Sequence, residues 1–72
     1  MQPEEAFKSN LLALRKERGL SQKQVADKAG ISEIGYRFLE KGHRKPSFDM
    51  LIALADFFDV SLDYLTGRKD EP

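Results

Sequence analysis

Residues 33 to 45 read EIGYRFLEKGHRK, and on a helix their spacing would gather a specific chemistry on one side. At 100° per residue, Glu33, Ile34, Arg37, Phe38 and Lys41 share a face, with His43, Arg44 and Lys45 following directly. Two large apolar groups one turn apart, mixed with charges of both signs, are unusual on a solvated helix face and invite a partner surface. Catalysis fits poorly. The chain has no cysteine, so thiolate nucleophiles and thiolate zinc sites are excluded. Its one histidine stands beside no nucleophile or metal-ligand cluster, no glycine-rich phosphate loop opens a helix, and 72 residues leave little room for a cleft. Neither an enzyme nor a cofactor or metal site is expected.

Net charge is zero, yet the charges segregate. Residues 8 to 45 carry ten Lys/Arg against four acids, whereas residues 46 to 72 carry two against six. A chain basic at one end and acidic at the other can present a positive surface despite its neutral total. There is no basic n-region with an apolar h-region at the start, and no apolar run long enough to span a bilayer. A cytoplasmic domain without membrane contact is expected, and the absence of cysteine implies no oxidising compartment.

The elements that must position this face are punctuated plainly. Ser21, Ser32, Ser47 and Ser61 each stand where apolar periodicity restarts, as N-caps do. Ser21 with Gln24 fits a capping box. Leu20 with Val25, Ile31 with Tyr36 and Val60 with Leu65 have hydrophobic-staple spacing. Gly19, Gly30, Gly42 and Gly67 fall where a left-handed stop is wanted, with Asp59 standing in before Val60. Pro3 followed by two acids opens the first helix. Five helices are predicted, at about 4–18, 22–29, 33–41, 48–58 and 62–66, with no strand. One domain spans 1–66, and 67–72 read as a flexible tail.

The second and third helices fall below the roughly 12 to 15 residues at which an isolated helix holds in water, so the other helices must clamp them. The predicted core is Phe7, Leu11, Leu14, Leu20, Val25, Ala29, Ile31, Tyr36, Leu39, Leu51, Leu54, Ala55, Phe58, Val60 and Leu65. Gly35 inside the third helix suggests a close approach, most simply by the backbone of the second. Met50 and Phe57 lie off the core stripe of the fourth helix, with Leu62 and Tyr64 nearby. Together they are predicted to form a homodimer interface.

From about Phe7 to Gly67 the chain resembles the Cro and phage-repressor (Xre-like) helix-turn-helix family, in the stretches LRKERGLSQKQVADKAGIS and LEKGHRKPSFDMLIALADFFDVSLDYL. The resemblance implies an all-α, five-helix bundle of the lambda-repressor-like type, with its helix-turn-helix at about 21–41. It implies that the helix at 33–41 enters the major groove of double-stranded DNA. Gln22 then corresponds to a phosphate contact, and Ser32, Glu33, Ile34, Arg37 and Phe38 to positions at or near those that read bases. His43, Arg44 and Lys45 correspond to a backbone-contacting loop, and Arg15 with Glu40 to a structural ion pair. The function implied is a transcriptional regulator that represses by occupying a pseudo-palindromic operator as a dimer. The family usually has a β-branched residue at Tyr36 and polar residues at Glu33, Ile34 and Phe38. An alternative remains on the same fold, in which Ile34 and Phe38 bind a protein partner.

Overall fold

Each serine expected to begin a helix does so in the computed structural model, which describes residues 2–72. The helices are α1 (Pro3–Glu17), α2 (Gln22–Ala29), α3 (Glu33–Lys41), α4 (Phe48–Phe58) and α5 (Leu62–Leu65), and no strand occurs among the described residues. The Ser21, Ser32, Ser47 and Ser61 hydroxyls accept hydrogen bonds from the backbone N–H three residues on. The capping box is complete, with Ser21 N–H donating to Gln24 Oε1 at 2.8 Å. Helix α1 stops at Glu17, one residue short of expectation, because Arg18 is already a C-cap whose N–H reaches back to Leu14. Helix α5 likewise stops at Leu65, with Thr66 as its cap.

Between α2 and α3 the chain turns on Gly30, at φ 75° and ψ 30°, a left-handed conformation that glycine adopts without steric cost. At the end of α4 the same role falls to Asp59, at φ 56° and ψ 48°. Short polar side chains tolerate this region better than most.

The core forms where α1 packs on α3 and α5, α2 on α3 and α4, and α4 on α5. Tyr36, Phe58, Leu11, Leu39, Leu54, Leu65 and Val25 are its fully buried large side chains. Ala6 and Ala26 are buried too, which apolar spacing did not single out. Ala26 lets the short α2 sit close against two neighbours. Four residues expected in the core, Leu20, Ala29, Leu51 and Val60, are instead partly buried and pack against it from its edge. Three of these lie at or beyond helix ends, where solvent reaches one side.

Gly35 is buried at the start of α3, but not beneath the backbone of α2. A Cβ there would lie 2.8 Å from Ser32 Oγ and 3.5 Å from Arg44 Nη1. Glycine at this position therefore leaves room for the N-cap hydroxyl and for an arginine folded back from the loop after α3. At the C-terminus, Arg68 and Lys69 N–H bond to Asp63 O, and Ser61 N–H donates to Pro72 O at 3.0 Å.

Candidate nucleic-acid interface

Helix α3 divides its residues cleanly. Gly35, Tyr36 and Leu39 are buried against the bundle. Ile34 is 68% exposed and Phe38 41% exposed on the other side, one turn apart. Arg37 Nη2 lies 2.5 Å from Glu33 Oε2, and Lys41 is exposed at the helix end. The chain then turns at Gly42 and places the His43 ring 6.2 Å from that of Phe38, so the loop continues the face begun by the helix. Arg44 folds back over Gly35, and Lys45 is exposed, its ammonium 3.8 Å from Glu4. Glu33, Ile34, Arg37, Phe38, Lys41, His43 and Arg44 are thereby gathered around one surface built on α3. Ser32 stands at its edge with its hydroxyl engaged in the cap.

Behind this surface lies a polar knot. Glu40 Oε2 accepts hydrogen bonds from Arg15 Nε at 2.7 Å and from the Tyr36 hydroxyl at 2.5 Å. Its Oε1 accepts from Arg15 Nη2 at 3.1 Å and Gln22 Nε2 at 3.0 Å. Arg15 Nη1 also donates to Leu20 O at 3.0 Å, so one guanidinium holds both α3 and the loop leading into α2. The two charged side chains are only 15% and 5% exposed. Burial alone would push the Glu40 carboxyl up, but donation from Arg15, Tyr36 and Gln22 outweighs it and holds it below the ordinary carboxylate range. The Arg15 guanidinium is held charged by Glu40. Tyr36 is pushed well above its usual range by burial and by the adjacent carboxylate. Every buried side-chain polar atom among the described residues has a partner.

The side-chain amide of Gln22, expected at a phosphate, donates one hydrogen bond to Glu40 in this structure. The parts of Tyr36 and Gln22 in this knot escaped sequence reasoning. The Tyr36-to-Glu40 spacing of four was a legible signal, but Gln22 reaches Glu40 only through the tertiary angle between α2 and α3.

The residues expected at a dimer interface differ in exposure. Met50, Phe57 and Tyr64 are partly buried against the core, and the Phe57 ring meets Phe58 edge-on at 4.9 Å. Leu62 is exposed. The exposed apolar pair of α4 is Phe48, 71% exposed, with Ile52 one turn on. Arg18 is spent elsewhere, donating to Phe58 O at 2.6 Å and lying over the Phe58 ring.

Two short helices held at a fixed turn, with the second presenting its side chains outward, define a helix-turn-helix. A family model described as "Helix-turn-helix" matches residues 11–65, and the chain belongs to that family. It is 44% identical over 66 residues to the uncharacterized HTH-type transcriptional regulator YqaE of Bacillus subtilis, covering 90% of this chain and 57% of that protein. It is 41% identical to the HTH-type transcriptional regulator AnsR of B. subtilis, covering 85% and 53%. To the cryptic phage CTXphi transcriptional repressor RstR of Vibrio cholerae it is 38% identical, covering 86% and 55%. The chain therefore spans a little over half the length of these relatives. A crystal structure of a transcriptional regulator from Listeria innocua superposes with a TM-score of 0.79 at 35% identity, over 92% of this chain and 62% of that one. The expected family and the all-α five-helix fold are thus both borne out. Among the described residues no helix is long and apolar enough to cross a membrane.

Proposed function

We propose that this chain is the DNA-binding part of a transcriptional regulator, which represses by laying α3 in the major groove of an operator. The observation that carries this is the outward face of α3. It combines exposed Ile34 and Phe38 with Arg37 and Lys41, and runs on into the basic loop His43–Lys45. Its helix is braced from behind by the Arg15–Glu40 knot. The kinship to proteins named HTH-type transcriptional regulators and a phage repressor supports the same reading.

In this arrangement Ile34 and Phe38 meet thymine methyl groups or sugar edges. His43, Arg44 and Lys45 hold phosphates, which position the protein without reading sequence. The N-terminus of α2, beginning at Gln22, faces the backbone with the first-turn amides that its capping box does not use. One such module covers a single half-site. A homodimer on a pseudo-palindromic operator would place two copies of α3 about one helical turn, roughly 10 base pairs, apart. Leu62 with the flanks of Met50, Phe57 and Tyr64 is the proposed contact.

Selection from a random duplex pool, followed by fluorescence anisotropy at several salt concentrations, tests this. The expected result is an enriched two-part site whose affinity falls by roughly 0.9 log units per neutralised phosphate for each log unit of salt. Binding to a protein partner through Ile34 and Phe38, insensitive to salt and with no enriched sequence, would overturn it. One-to-one occupancy of a lone half-site would remove the dimer. Arg44→Ala and Lys45→Ala should weaken binding to all sequences alike and flatten the salt dependence.

A further inference from the structure

A carboxylate on a surface offered to DNA is a liability unless something answers its charge. Glu33 is answered from its own helix, one turn on. Its Oε2 accepts from Arg37 Nη2 at 2.5 Å. Its side chain is 33% exposed against 52% for Arg37. On the helix the two differ by about 40°, and the difference carries Arg37 toward the middle of the outward face and Glu33 toward its α2 edge. The carboxylate stands behind and the guanidinium in front.

From this geometry we propose that Arg37 is the residue with which α3 selects a guanine, and that Glu33 is its positioning residue and does not itself read a base. The inference rests on the DNA-binding reading above. A guanidinium has five N–H donors in a rigid plane. One is spent on Glu33, leaving an edge free to donate in parallel to guanine O6 and N7, the pairing that best distinguishes guanine in the major groove. An exposed arginine would ordinarily sample many rotamers. The carboxylate one turn back limits that sampling and fixes the plane of the fork. Ile34 and Phe38, each one position further along the helix, form an apolar wall beside it that keeps water from competing for the same donors. A half-site should therefore show guanine at the position facing Arg37, beside thymines facing Ile34 and Phe38.

The alternative for Glu33, direct acceptance from a cytosine N4 amine, places its effect at a base pair of its own. The test selects sites from a random duplex pool with the wild-type 72-residue chain and with Glu33→Ala, Arg37→Ala and the double variant. Anisotropy then follows on the wild-type site and on each single-base-pair mismatch, with thermal melting to show that each variant is folded. Arg37→Ala should abolish a guanine preference of about 5- to 150-fold at one base pair. Glu33→Ala should weaken the preference at that same base pair while raising affinity for scrambled duplex. The double variant should match Arg37→Ala alone at that position. Glu33→Gln, which keeps an oxygen to accept from the guanidinium, should retain more of the preference than Glu33→Ala. Loss of preference at two different base pairs, or additive effects, would overturn the inference while leaving DNA binding intact. If the wild-type chain enriches no site, the underlying reading falls and this one with it.

Discussion

Arg15–Glu40 and Glu33–Arg37 join the same residue types at 2.7 and 2.5 Å, from carboxylates two turns apart on one flank of α3, and their surroundings give them different work. The first is nearly sealed from solvent, and its carboxylate accepts four hydrogen bonds drawn from three helices. The second is half-open and joins residues one turn apart on a single helix. A buried pair must be answered completely, because an orphaned charge in a low dielectric is costly. A surface pair is screened and contributes little to folding. The side chains that brace the helix are thus segregated from those that remain available to a partner. The turn can stay rigid while the outward face varies.

The largest effect should come from breaking the inner pair. Glu40→Ala leaves Arg15, Tyr36 and Gln22 all without their acceptor, and is expected to destabilise the fold by roughly 3 kcal/mol. Thermal melting would show the loss, and Arg15→Ala combined with it should cost less than the sum. Strict additivity would mean that the two side chains do not act as a pair.

Acidification reaches part of the same loss without mutation. Because the folded carboxyl of Glu40 is held below its ordinary value of 4.5, its stabilising contribution is complete above that pH. The contribution is lost as pH falls through the lower, folded value. Tyr36 acts in the opposite sense. Its hydroxyl is pushed above the ordinary 10.0, so its contribution is complete below that pH and declines as pH rises beyond it. Denaturant melts across the pH range should show both limbs in wild type, and Glu40→Gln should flatten the acid one. An unchanged acid limb would assign it to other carboxylates.

Tyr36→Phe sharpens the comparison further, since it removes one donor and keeps the ring. A loss of about 1.5 kcal/mol is expected, the usual scale for a hydrogen bond to a charged group. A neutral result would show that Arg15 and Gln22 suffice to hold Glu40. The smallest effect belongs to the outer pair, where Glu33→Ala or Arg37→Ala should change stability by no more than about 0.5 kcal/mol. A loss as large as that of Glu40→Ala would mean that the outer pair also braces the helix.

Local rules made much of this molecule legible. Serine caps and left-handed glycines act within a few residues, so the positions of α2, α3 and α4 could be read from neighbours alone, and the misses were single residues at the ends of α1 and α5. The outward face of α3 followed from helical periodicity, since Tyr36 and Leu39 claim one side and Ile34 and Phe38 are left on the other. Periodicity was less informative for alanines. Ala26 and Ala29 are equally apolar, and only the approach of α3 and α4 to α2 buries the first and leaves the second at the rim. It also placed Met50 and Phe57 outside the core stripe, although neighbouring helices draw both partly against it.

Fold class and helix order were therefore determined by the chain itself, because caps, staples and apolar spacing operate through bonds and contacts no more than five residues long, whereas the family followed from the likeness of whole stretches of sequence. The tertiary structure decided which atoms meet across the turn. Gln22 donates to Glu40, Arg44 lies over Gly35, and Arg15 ties α1 to Glu40 of α3. Those pairings depend on the angle and separation of α1, α2 and α3. Close-packed volumes from the whole chain set that angle, and no local pattern encodes it.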